Sequence, residues 1–381
     1  MILRFLDAIT RPVAWLSRSR AIELDKVKRI LVFVPGQLGD IMMITPFLRG
    51  IRTRFPQAHI AVLGHSKLKT LLLEQRLADE LIPVRTPWGE FSSRWRIYNP
   101  FGSVWPSFIR TLLMIRRRRF DLSFMAGFCD FRHNLGLWLA GAKRRVAYAY
   151  AGGAALITDA VKPDLAQPHY TDFCLQSLKG LGIDVNRDDM FIRIEEKERE
   201  SAEEFLSSHG ISPGDVVVGI HPGARLAVRQ WGEERFREVA HRVSRQFGAK
   251  VLWFANPANP ATIEEGANII SVSLPLRQFL AVLTHCRLLI CNDSGPMHMA
   301  AGLGIPTVAI FGPNNPEWFG PLGPGHRIVI RRDVWCRPCS DRCLFDEPYC
   351  LTLIPVNQVM DAVVEAIEES ADRERSKELT L

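Results

Sequence analysis

Several things are missing from this sequence of 381 residues, and each absence removes a class of function. No apolar run approaches the roughly 20 residues needed to span a bilayer, which excludes an ordinary transmembrane helix. No G-x-G-x-x-G follows a strand-like run, because Gly36-x-x-Gly39 has the wrong spacing for the dinucleotide fingerprint. There is no Asp-x-Asp pair, so a Mg²⁺ ion on a nucleoside diphosphate would lack its usual carboxylate ligands. No fixed period recurs along the chain, which removes solenoids and propellers. Residues 1–20 lack the unbroken apolar stretch of a signal peptide, since Arg4, Asp7 and Arg11 interrupt it. Without an export signal the expected location is the cytoplasm. Disulfides are uncommon there, so the eight cysteines are read as thiols.

What is present is the composition of a globular protein, 47% hydrophobic and 23% charged, with a length that suggests two domains. The net charge of +7 matters less than its clustering at Arg116–Arg119, at Lys143-Arg144-Arg145 and before residue 21. Such clusters suit nucleic acid, an anionic membrane or a phosphorylated glycolipid, unless they are simply solvated basic faces. Ile2, Phe5, Leu6, Ile9, Val13 and Leu16 fall at helical spacing, with Pro12 as a kink. That pattern describes a helix lying on a surface, either the membrane interface or another part of this protein.

The chain then alternates between strand-like and helix-like runs. Residues 29–35 (RILVFVP) read as a buried strand leading into Gly36-Gln37-Leu38-Gly39-Asp40 and a helix to Phe55, with Thr45-Pro46 as an internal start signal. Strands follow at 59–63, 81–84, 121–125 and 144–148, with helices at 108–119 and 135–140. Residues 86–107 mix arginine with aromatics and turn formers and are read as a long loop, and 151–172 as irregular. A charged helix over 195–210 bridges to a second α/β series. Its strands are expected at 216–220, 251–255, 269–270, 288–291 and 307–311. Helices are expected at 232–247, 276–284 and 356–369. The fold expected is therefore α/β, with two facing Rossmann-like domains and a cleft between them. Ligands of such sheets bind beyond the carboxyl ends of the strands, where Asp40, His221 and Asp293 all fall.

The densest signal is residues 288–316, LLICNDSGPMHMAAGLGIPTVAIFGPNNP. A strand runs into Asn292-Asp293-Ser294-Gly295, and Pro296 opens a helix that ends near Gly304. This turn aims backbone N–H groups and the positive end of the helix dipole at one point, a ready site for a diphosphate. An ordinary capped helix would look the same, since Asp and Ser are favoured caps. Arg225 and Arg229, after the His221-Pro222-Gly223 turn, would supply positive charge. His298 lies one turn into the helix and would either reach a phosphate or sugar oxygen or be packed as a core residue. Asp40 is either a general base or the cap of its own helix. Late in the chain Cys336, Cys339, Cys343 and Cys350 form C-x₂-C-x₃-C-x₆-C, whose first pair suits zinc and whose later spacing fits no known zinc module. No metal is assigned to it, and a packed or redox-sensitive cluster is preferred.

Three blocks resemble glycosyltransferase family 9, the ADP-heptose:lipopolysaccharide heptosyltransferases and their relatives. They are ILVFVPGQLGDIMMITPFLRGIRTRFPQAHIAVL, IHPGARLAVRQWGEERFREVA and NDSGPMHMAAGLGIPTVAIFGPNNP. The resemblance covers roughly residues 28–365 and implies a GT-B fold with the donor held by the C-terminal domain. It implies metal-independent, inverting transfer from a nucleotide-sugar, ADP-heptose, with no cofactor. By position, Asp40 matches the catalytic base and Arg229 a donor-phosphate residue that is commonly lysine. Asp293, Ser294, Gly295 and His298 match the donor-binding motif, and His221, Gly223 and Arg225 are further donor-side candidates. The expected acceptor is a lipopolysaccharide-type glycolipid at the cytoplasmic face of the inner membrane, with peripheral membrane association and no nucleic acid partner. Around Asn256 to Asn259 the acid that holds ribose in some relatives is missing. The alternatives are a sugar-nucleotide epimerase of GT-B architecture and a catalytically inactive nucleotide-sugar-binding relative. Expected domains are an N-terminal helix (1–25), an acceptor domain (26–194), a linker (195–212), a donor domain (213–355), a last helix (356–371) and a flexible tail (372–381).

Overall fold

The computed structural model describes residues 10, 22–36, 38–72, 75–86, 104–164, 166, 169–188, 190–255, 266 and 268–378. Most of the expected N-terminal helix, the centre of the loop after Thr86 and the stretch 256–265 lie outside them. The chain divides into two compact units, ending at Met190 and beginning at Phe191.

The first unit is built on six parallel strands: β1 (Arg29–Phe33), β2 (His59–Gly64), β3 (Glu80–Pro83), β4 (Leu122–Met125), β5 (Arg144–Tyr148) and β6 (Asp159–Val161). Their spatial order is β3-β2-β1-β4-β5-β6. Helices cover the sheet, so the inner strands read as unbroken apolar runs rather than alternating ones. The longer helices are α1 (Leu38–Arg54), α2 (Val104–Arg117), α3 (Phe131–Ala140) and α4 (Tyr170–Lys179). Pro46 does not start a new helix. It lies inside α1, and the Thr45 hydroxyl donates to the Met42 carbonyl at 2.8 Å, which a residue-46 amide would otherwise have served.

The second unit repeats the plan. Its strands are β7 (Val217–His221), β8 (Lys250–Phe254), β9 (Ile269–Val272), β10 (Leu288–Asn292), β11 (Thr307–Phe311) and β12 (Arg327–Ile330), in the order β12-β11-β10-β7-β8-β9. All pairs are parallel. The longer helices are α5 (Glu196–Ser208), α6 (Glu233–Phe247), α7 (Leu276–Leu283), α8 (Gly295–Gly302) and α9 (Val356–Glu378). The charged helix read as a bridge is α5. Arg277 of α7 pins it, with Nε donating to Glu198 Oε1 at 2.8 Å. The last helix runs on to Glu378, through residues read as tail.

Arg118 of one expected basic patch and all three residues of another are engaged inside the first unit. Arg118 donates to both oxygens of Glu80, at 2.6 and 2.7 Å, and Lys143 reaches Asp121 at 2.8 Å. Arg144 pairs with Asp159. Arg145 is buried and donates to the carbonyls of Leu156 and Ala142, both at 2.7 Å. The Lys143–Arg145 cluster therefore holds β5 in place instead of presenting charge. Among the described residues no helix is long and apolar enough to cross a membrane.

Candidate functional site

In each sheet the strand order reverses once at its middle, between β1 and β4 and between β7 and β10. The connections leave in opposite directions there, so a crevice opens beyond the carboxyl ends of the two strands. The sequence-picked residues fall at these two places.

In the first unit β1 leads to Gly36 and then to α1, whose first turn carries Asp40. A Cβ on Gly36 would lie 2.5 Å from both Cβ and Oδ2 of Asp40, so only glycine admits the carboxylate there. Tyr170 and Cys174 of α4 lie within reach of the Asp40 charge. Burial raises both groups well above their ordinary pKa, and the Asp40 charge adds to the effect. Across the switch, Gly127 has φ +121° and faces the Tyr170 hydroxyl, which a Cβ would strike.

A second carboxylate, Asp130, stands just beyond β4. It caps α3, accepting from Arg132 N at 2.9 Å, and contacts His133 Nδ1 at 3.0 Å. Burial opposes its ionisation, but hydrogen bonds from His133 and Arg132 prevail and hold it well below the usual carboxylate range. A carboxylate so engaged is a weak proton acceptor.

In the second unit the register pairs Cys291 with His221, so the residues after β7 and those after β10 leave the sheet side by side. Asn292 ties the two connections together. Its Nδ2 donates to the Pro222 carbonyl at 2.6 Å and its Oδ1 accepts from Trp231 N at 3.0 Å. Ser294 is the N-cap of α8, yet its side chain makes no capping bond and donates back to the Asn292 carbonyl at 3.1 Å. Asp293 is engaged elsewhere in the crevice. It is 2% exposed, accepts from Asn314 Nδ2 at 2.6 Å and stands 3.5 Å from Arg229 Nη1. The opening of α8 is thus not closed by the Ser294 side chain, as an ordinary capped helix would be.

Arg229 ends a short 3₁₀ turn and is held by a residue the sequence reading missed. Its Nε and Nη2 donate to Asp341 Oδ1 and Oδ2 at 2.7 and 2.5 Å. Gly223 carries the carbonyl 3.2 Å from His221 Nδ1. Burial pushes His221 down to about 4, so its ring is neutral near neutral pH. His298 is enclosed in α8 at 4% exposure, and Arg225 is exposed. The structure brings Arg229, Asp293 and Ser294-Gly295 to one crevice and adds Asp341, Asn314 and Asn292 to them.

The four late cysteines are close neighbours. Burial raises the Cys350 thiol to about 11, with smaller contributions from Cys339, Cys336 and Cys343. Among the described residues no group of three or more His, Cys, Asp or Glu is arranged to hold a metal ion.

A family model described as glycosyltransferase family 9 (heptosyltransferase) matches residues 137–349, a stretch that contains the whole second-unit crevice but not Asp40. Lipopolysaccharide heptosyltransferase 2 of Salmonella typhimurium is 23% identical over 325 residues, 79% of this chain and 87% of that protein. The crystal structure of the glycosyl transferase family 9 from Veillonella parvula matches with a TM-score of 0.71 at 27% identity, covering 92% of this chain and 99% of that one. The E. coli ADP-heptose lps heptosyltransferase II matches with a TM-score of 0.67 at 20% identity, covering 90% and 99%.

Proposed function

The chain belongs to glycosyltransferase family 9 and is a glycosyltransferase of GT-B fold, and on that premise we propose that it transfers a heptosyl group from ADP-heptose to a lipopolysaccharide core or related glycolipid. The observation that carries the donor side is the crevice between β7 and β10, where the amide end of α8 and the guanidinium of Arg229 meet. Both favour a diphosphate. The names of the similar proteins support ADP-heptose as donor and lipopolysaccharide as acceptor.

In the proposed step an acceptor hydroxyl attacks the anomeric carbon from the face opposite the leaving group. The new carbon–oxygen bond forms as the bond to the β-phosphate oxygen breaks. The electron pair departs with ADP, and the hydroxyl proton passes to Asp40. Arg229 and the amides of α8 stabilise the charge that develops on ADP, the work a metal ion does in other transferases. The configuration at the anomeric carbon inverts.

A lipid-linked acceptor calls for a membrane-facing surface, and α2 supports one. Residues 104–119 contain five arginines and no acid. Ile109, Leu113 and Met114 are 40–52% exposed beside Arg110, Arg116 and Arg117. Apolar side chains interleaved with cations suit an anionic lipid surface.

The donor assignment is tested by thermal unfolding in the presence of ADP-heptose and of GDP-, UDP- and dTDP-sugars, since a ligand of the native state raises its stability. ADP-heptose should give the largest shift. A larger shift with any of the others would overturn ADP-heptose as donor.

A further inference from the structure

Arg229 is gripped along one edge by a carboxylate 112 residues away in sequence. Asp341 takes two of the five donors that a guanidinium carries, in the parallel two-bond geometry that fixes both its position and its plane. The grip is built into the backbone. Asp341 lies in Cys339-Ser340-Asp341-Arg342-Cys343, and both Ser340 and Asp341 have left-handed φ values, 51° and 67°. Two successive non-glycine residues in that region persist only where the surroundings hold them.

Those surroundings are visible. The Cys339 and Ser340 amides both donate to the Pro313 carbonyl, at 3.0 and 3.2 Å, and Arg342 N closes onto the Cys339 carbonyl at 3.1 Å. Pro313 belongs to the turn after β11, and the next residue, Asn314, is the one that holds Asp293. Arg337 straps this turn, donating to the Gly312 carbonyl and to the Asn314 carbonyl at 2.7 Å. Gly312 lies so near Leu351 that a Cβ would come within 2.7 Å of Leu351 Cγ. One rigid turn therefore supports both carboxylates that bracket Arg229.

We infer that Asp341 is the positioning residue for Arg229, holding the guanidinium in the orientation in which it meets the donor diphosphate. This rests on the donor-site reading above. It also gives the cysteine-rich loop a task, because the loop shapes the turn that presents Asp341.

The test is a double-mutant cycle on the full chain, read as ADP affinity by calorimetry, with Asp341→Asn, Arg229→Ala and the pair. Asn matches Asp in size and tolerates left-handed φ, but offers a single acceptor oxygen, so the two-bond grip is lost. Melting temperatures verify that each variant is folded. Asp341→Asn should weaken ADP binding about 10-fold, within the usual coupling between contacting residues, and this loss should vanish when Arg229 is already Ala. Turnover at saturating donor should fall as well, because the guanidinium also meets the charge that develops on ADP, and this loss too should vanish when Arg229 is already Ala. If Arg229→Ala weakens ADP but Asp341→Asn leaves it unchanged or tighter, the positioning role is wrong and the donor site stands. An equal loss in both backgrounds would make Asp341 merely structural and would also overturn the inference. If Arg229→Ala itself leaves ADP affinity intact, the donor reading falls and takes this inference with it.

Discussion

Asp40→Asn is the most informative single substitution in the first unit. Asn has nearly the same volume and fits over Gly36 as Asp does. The structure therefore gives little reason for the fold to change. What Asn cannot do is accept the acceptor's proton. A positioned base is worth about 10²–10⁴-fold in rate, which corresponds to roughly 3–5 kcal/mol of barrier. Asp40 belongs to the first unit and the proposed diphosphate contacts to the second, so ADP affinity should be almost unaffected. The measurement is single-turnover transfer, alongside melting temperature and calorimetric ADP affinity. The expected pattern is a rate lowered about 10²–10⁴-fold in a protein of unchanged stability and nucleotide binding. Near-normal transfer would refute the base assignment and leave Asp40 as a first-turn carboxylate favoured by the helix dipole. In that case Asp40→Ala should destabilise by about 0.3–1 kcal/mol without a comparable loss of rate.

Three further outcomes are expected. Gly36→Ala should impair transfer much as Asp40→Asn does, because the new Cβ would fall 2.5 Å from Asp40 Oδ2 and push the carboxylate aside; a fully active Gly36→Ala protein would show that its position is not critical. His221 should make the protein acid-sensitive. Its folded pKa of about 4 lies below the ordinary 6.5, so the unfolded chain takes up the proton first as pH falls. Stability from this residue is complete above pH 6.5 and lost progressively down to about pH 4, by at most about 3 kcal/mol. Urea titrations across that range should show a shallower slope for His221→Asn, and an unchanged slope would rule the histidine out. Finally, sedimentation with anionic vesicles should fall for Leu113→Gln/Arg117→Gln and with rising salt, since exposed charge attraction is screened. Equal sedimentation of wild type and variant would remove α2 from the membrane-facing surface.

Much of the fold was legible because parallel strands covered on both sides leave short apolar runs between helical stretches. Residues 144–148 and 307–311 were read to the residue, matching Arg144–Tyr148 and Thr307–Phe311. The edge strands β6 and β12, of three and four residues, were missed. Helix α4 was also missed; it begins at the end of the stretch read as irregular, with the His169 side chain accepting from Thr171 N in place of a Ser or Asp cap. The turn that opens α8 was visible in Ser294-Gly295-Pro296 because helix-start signals are local in sequence. Asp341 was not, being one acid in a polar loop whose partner lies 112 residues away. The Lys143–Arg145 cluster misled for the same reason. Its partners Asp121, Asp159 and the Leu156 carbonyl adjoin it only once the sheet has formed.

The account stands most directly on one transfer reaction. Purified protein is incubated with ADP-heptose and a lipopolysaccharide acceptor lacking the heptose, and ADP release, acceptor mass and anomeric configuration are followed together by mass spectrometry and NMR. Each ADP released should be matched by one heptosyl group on the acceptor, in the configuration opposite to that of the donor. Donor isomerised or left intact with no gain in acceptor mass, or product that retains the donor's configuration, would contradict it.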